Sequence, residues 1–173
     1  MSAPEGLGQH LENLRRVNLK PIALKGNKYR WGARLRKLAD LPPLIFIEEV
    51  TAENGLAILC GTDHVDGGYM LGIDIDRGNF VLPWKELPPE PVLYIEEGTG
   101  KGRWHIFVQV SDRLEGQINL HSKLGGVVVE IKGYGQGLRS YPSLPPDKPK
   151  GYTPIYFRDT SAPKTLLSYQ QKI

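Results

Sequence analysis

The chain consists of short apolar runs, each of which is interrupted after a few residues by glycine, proline, asparagine or aspartate. Runs of this length with turn residues at both ends are typical of β-strands and too short for most core helices. Six of them predict strands: LIFIEEV (44–50), GLAILCGT (55–62), YMLGIDID (69–76), VLYIEE (92–97), RWHIFVQV (103–110) and GGVVVEIKG (125–133). A chain of this kind buries its core between sheets, or between a sheet and a few helices.

Helical patterns are few. Four apolar residues at helical spacing predict an amphipathic helix over Leu7–Val17, which ends at Asn18. A second short helical segment, ARLRKLADLPP (33–43), is stopped by its two prolines.

The remaining segments add strands and one ambiguity. Pro21–Leu24 and the region near Ile155 are predicted as strands, whereas residues 116–123 fit either a short helix or a strand. The stretch from Tyr134 to the strand near Ile155 is rich in glycine and proline and is predicted as a loop. Strands therefore outnumber helices and cluster late in the chain. We expect an α+β fold with a mainly antiparallel sheet, formed by residues 1–173 as a single domain that has room for two lobes around a cleft.

The composition is that of an ordinary globular domain, with 173 residues, 40% hydrophobic and 24% charged. It contains no run of about 18 apolar residues, the length of a transmembrane helix. The opening text, MSAPEGLGQHLENLRR, lacks the features of a secretory signal, so we expect a cytoplasmic protein that does not bind membranes. With one cysteine, Cys60, and four histidines, neither an internal disulfide nor a zinc site is expected.

Charge is distributed unevenly along the chain. Residues 1–37 carry nine Lys and Arg against two Asp and Glu, residues 38–130 carry six against fifteen, and residues 131–173 carry seven against two. Basic segments around an acidic middle suit a protein that binds polyanions at its rims and cations at its centre. A surface that is merely solvated by scattered charges is the alternative.

The motif GIDID places Asp74 and Asp76 two residues apart on a predicted strand. Alternate residues of a strand point to the same face, so both carboxylates share one side, about 6 to 7 Å apart along the strand. Carboxylate oxygens bind Mg²⁺ and Mn²⁺, and two such metals can promote phosphoryl or nucleotidyl transfer. A strand end that runs into solvent explains the same pattern without a metal.

Two further strands carry candidate residues. In TGKGRWHIF, a glycine-rich turn precedes Arg103 and His105, which share a strand face and could bind a triphosphate. In GGVVVEIKG, Glu130 lies beside apolar residues, where a desolvated carboxylate needs a metal or an opposite charge. An exposed hairpin face and a solvated Glu130–Lys132 pair are the corresponding alternatives.

The order of these motifs resembles the archaeo-eukaryotic primase superfamily. An apolar D-x-D strand is followed about 30 residues later by W-H-I-F after a glycine-rich turn, and about 25 residues later by an apolar E-I-K-G strand and then Y-P-S. Flanking stretches such as LKPIALKGNKYRWG are also similar to the family. The likeness covers about residues 10–157 and is closest to primase-polymerase domains of plasmid, viral and bacterial mobile-element replication proteins.

The resemblance implies a two-lobed core, in which a small N-terminal α/β lobe packs on an RRM-like, mainly antiparallel catalytic sheet. It implies template-directed transfer of nucleoside triphosphates to a 3′-hydroxyl, with single-stranded or primed DNA and sometimes a helicase domain as partners. The implied catalytic residues are Asp74, Asp76, Glu130 and His105, the first three binding Mg²⁺ or Mn²⁺. The implied nucleotide-binding residues are His105, Arg103, Lys28 and Ser143, and those for nucleic acid are Lys25, Arg30, Lys132 and Arg139.

The sequence also departs from the family. Arg103 stands where relatives often have a small residue, and no cysteine-rich zinc module or helicase domain is present. We therefore expect either a minimal catalytic core or one fragment of a longer protein. Two other classes stay open: a non-catalytic nucleic-acid-binding module or replication initiator, which would use Tyr134, Tyr141 and Tyr152, and a metal-dependent nuclease or nucleotide cyclase.

Overall fold

The computed structural model describes residues 6–25, 28–29, 56–64, 66–76, 82, 84, 88–98, 103–123, 126–140 and 152–158. The predicted helix at 33–43 and the predicted strand at 44–50 lie outside these residues. Arg30 and Ser143 lie outside them as well. Within the described residues the chain is α+β, with antiparallel sheets and one helix, which confirms the predicted fold class.

Helix α1 extends over Leu7–Arg16, close to its predicted bounds. Its leucines are buried, as the helical spacing predicts. The chain leaves the helix at Asn18, which has a positive φ of 58° and donates a hydrogen bond from Nδ2 to the carbonyl of Asp63 at 3.2 Å. None of the helical residues described here forms a segment with the length and apolar character needed to cross a membrane.

The described residues include ten strands, which form two sheets. The strands are β1 (Pro21–Lys25), β2 (Lys28–Tyr29), β3 (Leu56–Leu59), β4 (Tyr69–Ile75), β5 (Val92–Gly98), β6 (Trp104–Val110), β7 (Gln117–His121), β8 (Val127–Lys132), β9 (Gly137–Ser140) and β10 (Tyr152–Phe157). The small sheet has the order β2-β1-β3-β9 and the large sheet the order β10-β5-β6-β4-β8-β7. Every neighbouring pair is antiparallel.

Two of these strands, β7 and β9, were not predicted as strands from the sequence alone. The ambiguous segment 116–123 contains strand β7, which pairs with β8. Strand β9 lies in the segment rich in glycine and proline that the sequence predicts to be a loop, and this prediction is wrong. The segment becomes a strand because β3 pairs with it, from Leu56 opposite Ser140 to Leu59 opposite Gly137.

The two faces of the large sheet have different cores. One face packs against α1 and the small sheet, with a cluster that includes Leu11, Leu14, Ile58, Met70, Tyr94, Phe107 and Leu138. The other face carries Ile75, Ile95 and Ile106, against which Trp84 and Trp104 pack. Because a strand alternates its faces, Met70, Gly72, Asp74 and Asp76 all point to the side of α1 and the small sheet.

Gly72 lies at a close approach of the two sheets. A Cβ atom built there would lie 2.7 Å from Sγ of Cys60 and 2.9 Å from Cδ1 of Leu138, closer than real Cβ contacts allow. Leu138 lies on strand β9 of the small sheet, and Cys60 directly follows its strand β3. Glycine is therefore required for this packing.

We expect Gly72→Ala to lower the free energy of unfolding by about 1 to 3 kcal/mol, because the added methyl group overpacks the contact between the sheets. Gly8→Ala is the control, since nothing lies within 4 Å of a Cβ there and helical alanine is preferred over glycine. Urea denaturation of both variants measures the effect. A Gly72→Ala protein as stable as the wild type would contradict the packing described here.

Candidate functional site

Strand register brings polar residues from five strands into one row. Glu96 lies opposite His105, His105 opposite Asp74, Asp74 opposite Glu130, and Glu130 opposite Asn119. Residues that face each other across antiparallel strands have Cβ atoms about 5 Å apart and share one sheet face. The three motifs singled out in the sequence therefore meet on the large sheet.

Three carboxylates form the centre of this site. Asp74, Asp76 and Glu130 each offer one oxygen, and these atoms lie within 4.8 Å of one another. Asp74 is buried, Glu130 is half-buried, and the side chain of Asp76 is 42% exposed. Oxygen ligands of this kind suit hard cations such as Mg²⁺ or Mn²⁺.

The environment of Asp74 fits a bound cation. Its Oδ1 atom is buried and receives no well-aligned hydrogen bond from the described residues. Nε2 of His105 lies 3.2 Å from this oxygen, which makes the contact an ion pair without good hydrogen-bond geometry. A buried carboxylate oxygen without a hydrogen bond is costly, and a metal ligand bond would satisfy it.

Each carboxylate of the triad has one basic partner on the same sheet face. The pairs are Asp74 Oδ1 with His105 Nε2 at 3.2 Å, Asp76 Oδ1 with Arg103 Nη2 at 2.9 Å, and Glu130 Oε2 with Lys132 Nζ at 3.2 Å. Three positive side chains thus offset three acids that would otherwise repel each other. A metal cation at the triad would compete for Asp76 with the partly exposed Arg103. The buried ring of His105 stays beside Asp74, whose carboxylate oxygens have lone pairs for both a metal and the imidazole.

His105 is enclosed on several sides. Its side chain is 3% exposed, its Nδ1 atom lies 2.7 Å from Oε1 of Glu96, and its ring stacks on Tyr152 at a centroid distance of 3.9 Å. Burial alone lowers its pKa, but the contacts with Asp74 and Glu96 outweigh burial and raise the pKa to about 9. The imidazole is therefore protonated at neutral pH, and both of its ring nitrogens lie beside carboxylate oxygens.

Sequence reasoning missed Glu96, which is fully buried beside His105. It accepts hydrogen bonds from the hydroxyls of Tyr94 at 2.6 Å and Ser140 at 2.7 Å. One signal was available: Glu96 and Glu97 are consecutive in a predicted strand, so one of them must point toward the interior face. Nothing in the sequence indicated that Ser140 would be its partner, because β9 was expected to be a loop.

The predicted site residues fall into two groups. The large sheet brings together Asp74, Asp76, Arg103, His105, Glu130 and Lys132. Lys25 and Lys28 face each other in the β1–β2 hairpin of the small sheet, and Arg139 lies on β9 of the same sheet. Arg30 and Ser143 lie outside the described residues.

Comparisons with family models, with curated proteins and with solved structures found no match. The interpretation of the site therefore depends on its own geometry and on the order of the motifs. The resemblance to primase-polymerases stays a prediction.

We expect Arg103→Gln to bind Mn²⁺ about two- to fivefold more tightly than the wild type, because it removes a cation that competes for Asp76 in a partly exposed ion pair. Asp76→Asn should bind Mn²⁺ more weakly, because it removes a ligand oxygen charge. Arg113→Gln is the matched control, since Arg113 follows the opposite end of β6. Titration calorimetry without nucleotide measures all three. Unchanged or weaker binding by Arg103→Gln would contradict the competition.

His105 also predicts a pH dependence of stability. Its pKa in the folded protein, about 9, lies above its ordinary value of 6.5, so the folded state keeps a proton that the unfolded state releases. The stabilisation is complete below pH 6.5 and is lost as the pH rises through 9, by about 2 kcal/mol between pH 7 and 9. Denaturant unfolding at both pH values should show this loss. His105→Gln should lack it, and His121→Gln, at an exposed histidine of β7, should retain it.

Proposed function

We propose that this protein is a template-directed nucleotidyltransferase, a DNA primase or DNA polymerase that joins nucleoside triphosphates to a 3′-hydroxyl. The observation that carries the proposal is the triad of Asp74, Asp76 and Glu130, whose oxygens lie within 4.8 Å of one another on a sheet. The order of the motifs along the chain supports this reaction class over other metal-dependent reactions.

The architecture fits the proposal. Under this proposal, the large sheet that carries the triad is the catalytic, RRM-like sheet of a primase-polymerase core. Helix α1 and the small sheet form the second lobe, which packs on the same face as the triad. The two-lobed core is thus part of the proposal, beyond the α+β class of the described residues.

Asp74, Asp76 and Glu130 would hold two divalent cations, Mg²⁺ or Mn²⁺. When bound, such cations supply activation of the 3′-hydroxyl and charge neutralisation at the leaving pyrophosphate. The contribution of the chain is to hold three carboxylates at one point: the β4–β8 register places Asp74 opposite Glu130, and strand alternation adds Asp76.

Arg103 is proposed to bind the triphosphate. Its guanidinium lies 2.9 Å from Asp76 and its side chain is 22% exposed, so it reaches both the triad and solvent. The planar, fork-shaped guanidinium suits phosphate oxygens. The nucleotide-binding role of His105 stays a prediction, because both of its ring nitrogens face carboxylates and a phosphate would have to replace Asp74 at Nε2.

The remaining contacts to nucleotide and nucleic acid are also proposals. Lys132 lies beside Glu130 and could bind a phosphate next to the triad. Arg139 and the two lysines of the β1–β2 hairpin, Lys25 and Lys28, are on the small sheet, so a DNA strand bound to them would follow the second lobe.

A second candidate function, a non-catalytic nucleic-acid-binding module, has its own supporting observation. The guanidinium of Arg113 lies 4.1 Å from the ring centroid of Tyr134 and 5.4 Å from that of Tyr69. Arginine and aromatic planes of this kind stack on unpaired bases. On this reading the acidic residues would have a structural role.

One assay separates the candidates. The protein is incubated with a primed DNA template, nucleoside triphosphates and Mn²⁺, and the products are resolved on a denaturing gel and by chromatography. Primer extension or a new primer is the expected result. Binding without turnover would favour the non-catalytic module, whereas cleaved DNA or a cyclic nucleotide would indicate a nuclease or a cyclase.

We expect Asp74→Asn and Asp76→Asn each to lower the rate of nucleotide addition by at least about 100-fold, because bound metal contributes several kcal/mol to such reactions. Asparagine keeps the shape of the side chain, so Asp76→Asn, at the more exposed position, should change the midpoint of urea denaturation little. Asp74→Asn should lower the midpoint but still fold, because it also removes a charge that stabilises protonated His105. Asp112→Asn, at an exposed aspartate after β6, is the control and should retain activity. Near-normal extension by either triad variant would refute the assignment of the metal ligands.

A further inference from the structure

Glu96 is the most deeply buried acid near the site, and no surface of its side chain reaches solvent. Its two oxygens contact groups from three strands: Tyr94 of β5, His105 of β6 and Ser140 of β9, at 2.6 to 2.7 Å. These contacts fix the position of the Glu96 carboxylate inside the fold.

The consequence for His105 is a fixed ring orientation. Glu96 holds Nδ1 on one side, Asp74 lies at Nε2 on the other, and Tyr152 covers a ring face with an interplanar angle of 20°. With Nδ1 held by Glu96, rotation of the ring would break the shortest of these contacts. Nε2 therefore stays directed at Asp74.

The contact with Ser140 adds a link between the sheets. Ser140 lies on β9 of the small sheet, whereas Glu96 and His105 lie on the large sheet. The side chain of Ser140 is fully buried at this junction. The Glu96 carboxylate therefore connects Ser140 of the small sheet to the ring of His105 on the large sheet.

We propose that Glu96 is a positioning residue, which acts through the ring of His105 to hold the Asp74 carboxylate toward Asp76 and Glu130. This inference rests on the proposed metal-binding role of the triad. Glu96 does not belong to the triad, so its effect on a bound metal passes through His105. The competing explanation is that Glu96 only joins the two sheets.

A double-mutant cycle in Mn²⁺ affinity separates these explanations. Glu96→Gln should weaken Mn²⁺ binding by about 10-fold, the effect expected of a residue that orients a metal ligand. In the His105→Gln background the same change should have no further effect, because the group through which it acts is gone. Glu97→Gln is the matched control, since Glu97 is exposed on the opposite face of the same strand.

A smaller perturbation covers the case in which Glu96→Gln does not fold. Ser140→Ala and Tyr94→Phe each remove one hydrogen bond to Glu96 and leave its charge in place. Both should weaken Mn²⁺ binding in the same direction, by less than Glu96→Gln. Unchanged affinity in both variants would overturn the inference, as would equal effects of Glu96→Gln with and without His105.

Because the affinity is measured without nucleotide or DNA, this test is separate from the proposed reaction. If the wild-type protein binds Mn²⁺ and the cycle shows coupling but no primer is extended, the role of Glu96 is supported and the polymerase proposal is refuted. A protein that extends primers but gives an additive cycle would keep the polymerase proposal and overturn the role of Glu96. A wild-type protein that binds no Mn²⁺ would overturn both.

Discussion

Charge compensation within the large sheet is the interaction on which the site depends. Strand register places Glu96, His105, Asp74 and Glu130 side by side across four strands. Acids at this spacing repel each other, and burial strengthens the repulsion because few waters screen it. The protonated ring of His105 between Glu96 and Asp74 offsets that repulsion, which is also why its pKa is raised to about 9. A cation at this position therefore stabilises the two buried acids of the row, Glu96 and Asp74.

The position of the site follows from a gradient along strand β4. On one face of this strand, Met70 is in the apolar core, Gly72 contacts the small sheet, Asp74 is buried, and Asp76 is 42% exposed. The site therefore lies where the core ends and solvent begins. Charges at the inner end interact in a low-dielectric environment, whereas the outer end is accessible to solvent and to ions. This combination suits a site that binds metal and phosphate.

Local patterns predicted much of the fold because the physical causes are local. Helix α1 follows from apolar residues at helical spacing, and β4, β6 and β8 follow from short apolar runs between turn residues. Strand β9 could not be predicted, because its strand conformation comes from pairing with β3, which lies far away in the chain. The sequence around β9 is rich in glycine and proline, which favours a loop.

For the site, the sequence by itself determined that Asp74 and Asp76 share a face, because strand alternation is a property of the backbone. It did not determine that Glu130 would lie opposite Asp74, since the register between β4 and β8 depends on how the whole sheet packs. The roles of Glu96 and Ser140 were decided by tertiary structure as well. Their hydrogen bond joins two sheets, and a contact of this kind arises only when the core has brought distant strands within reach.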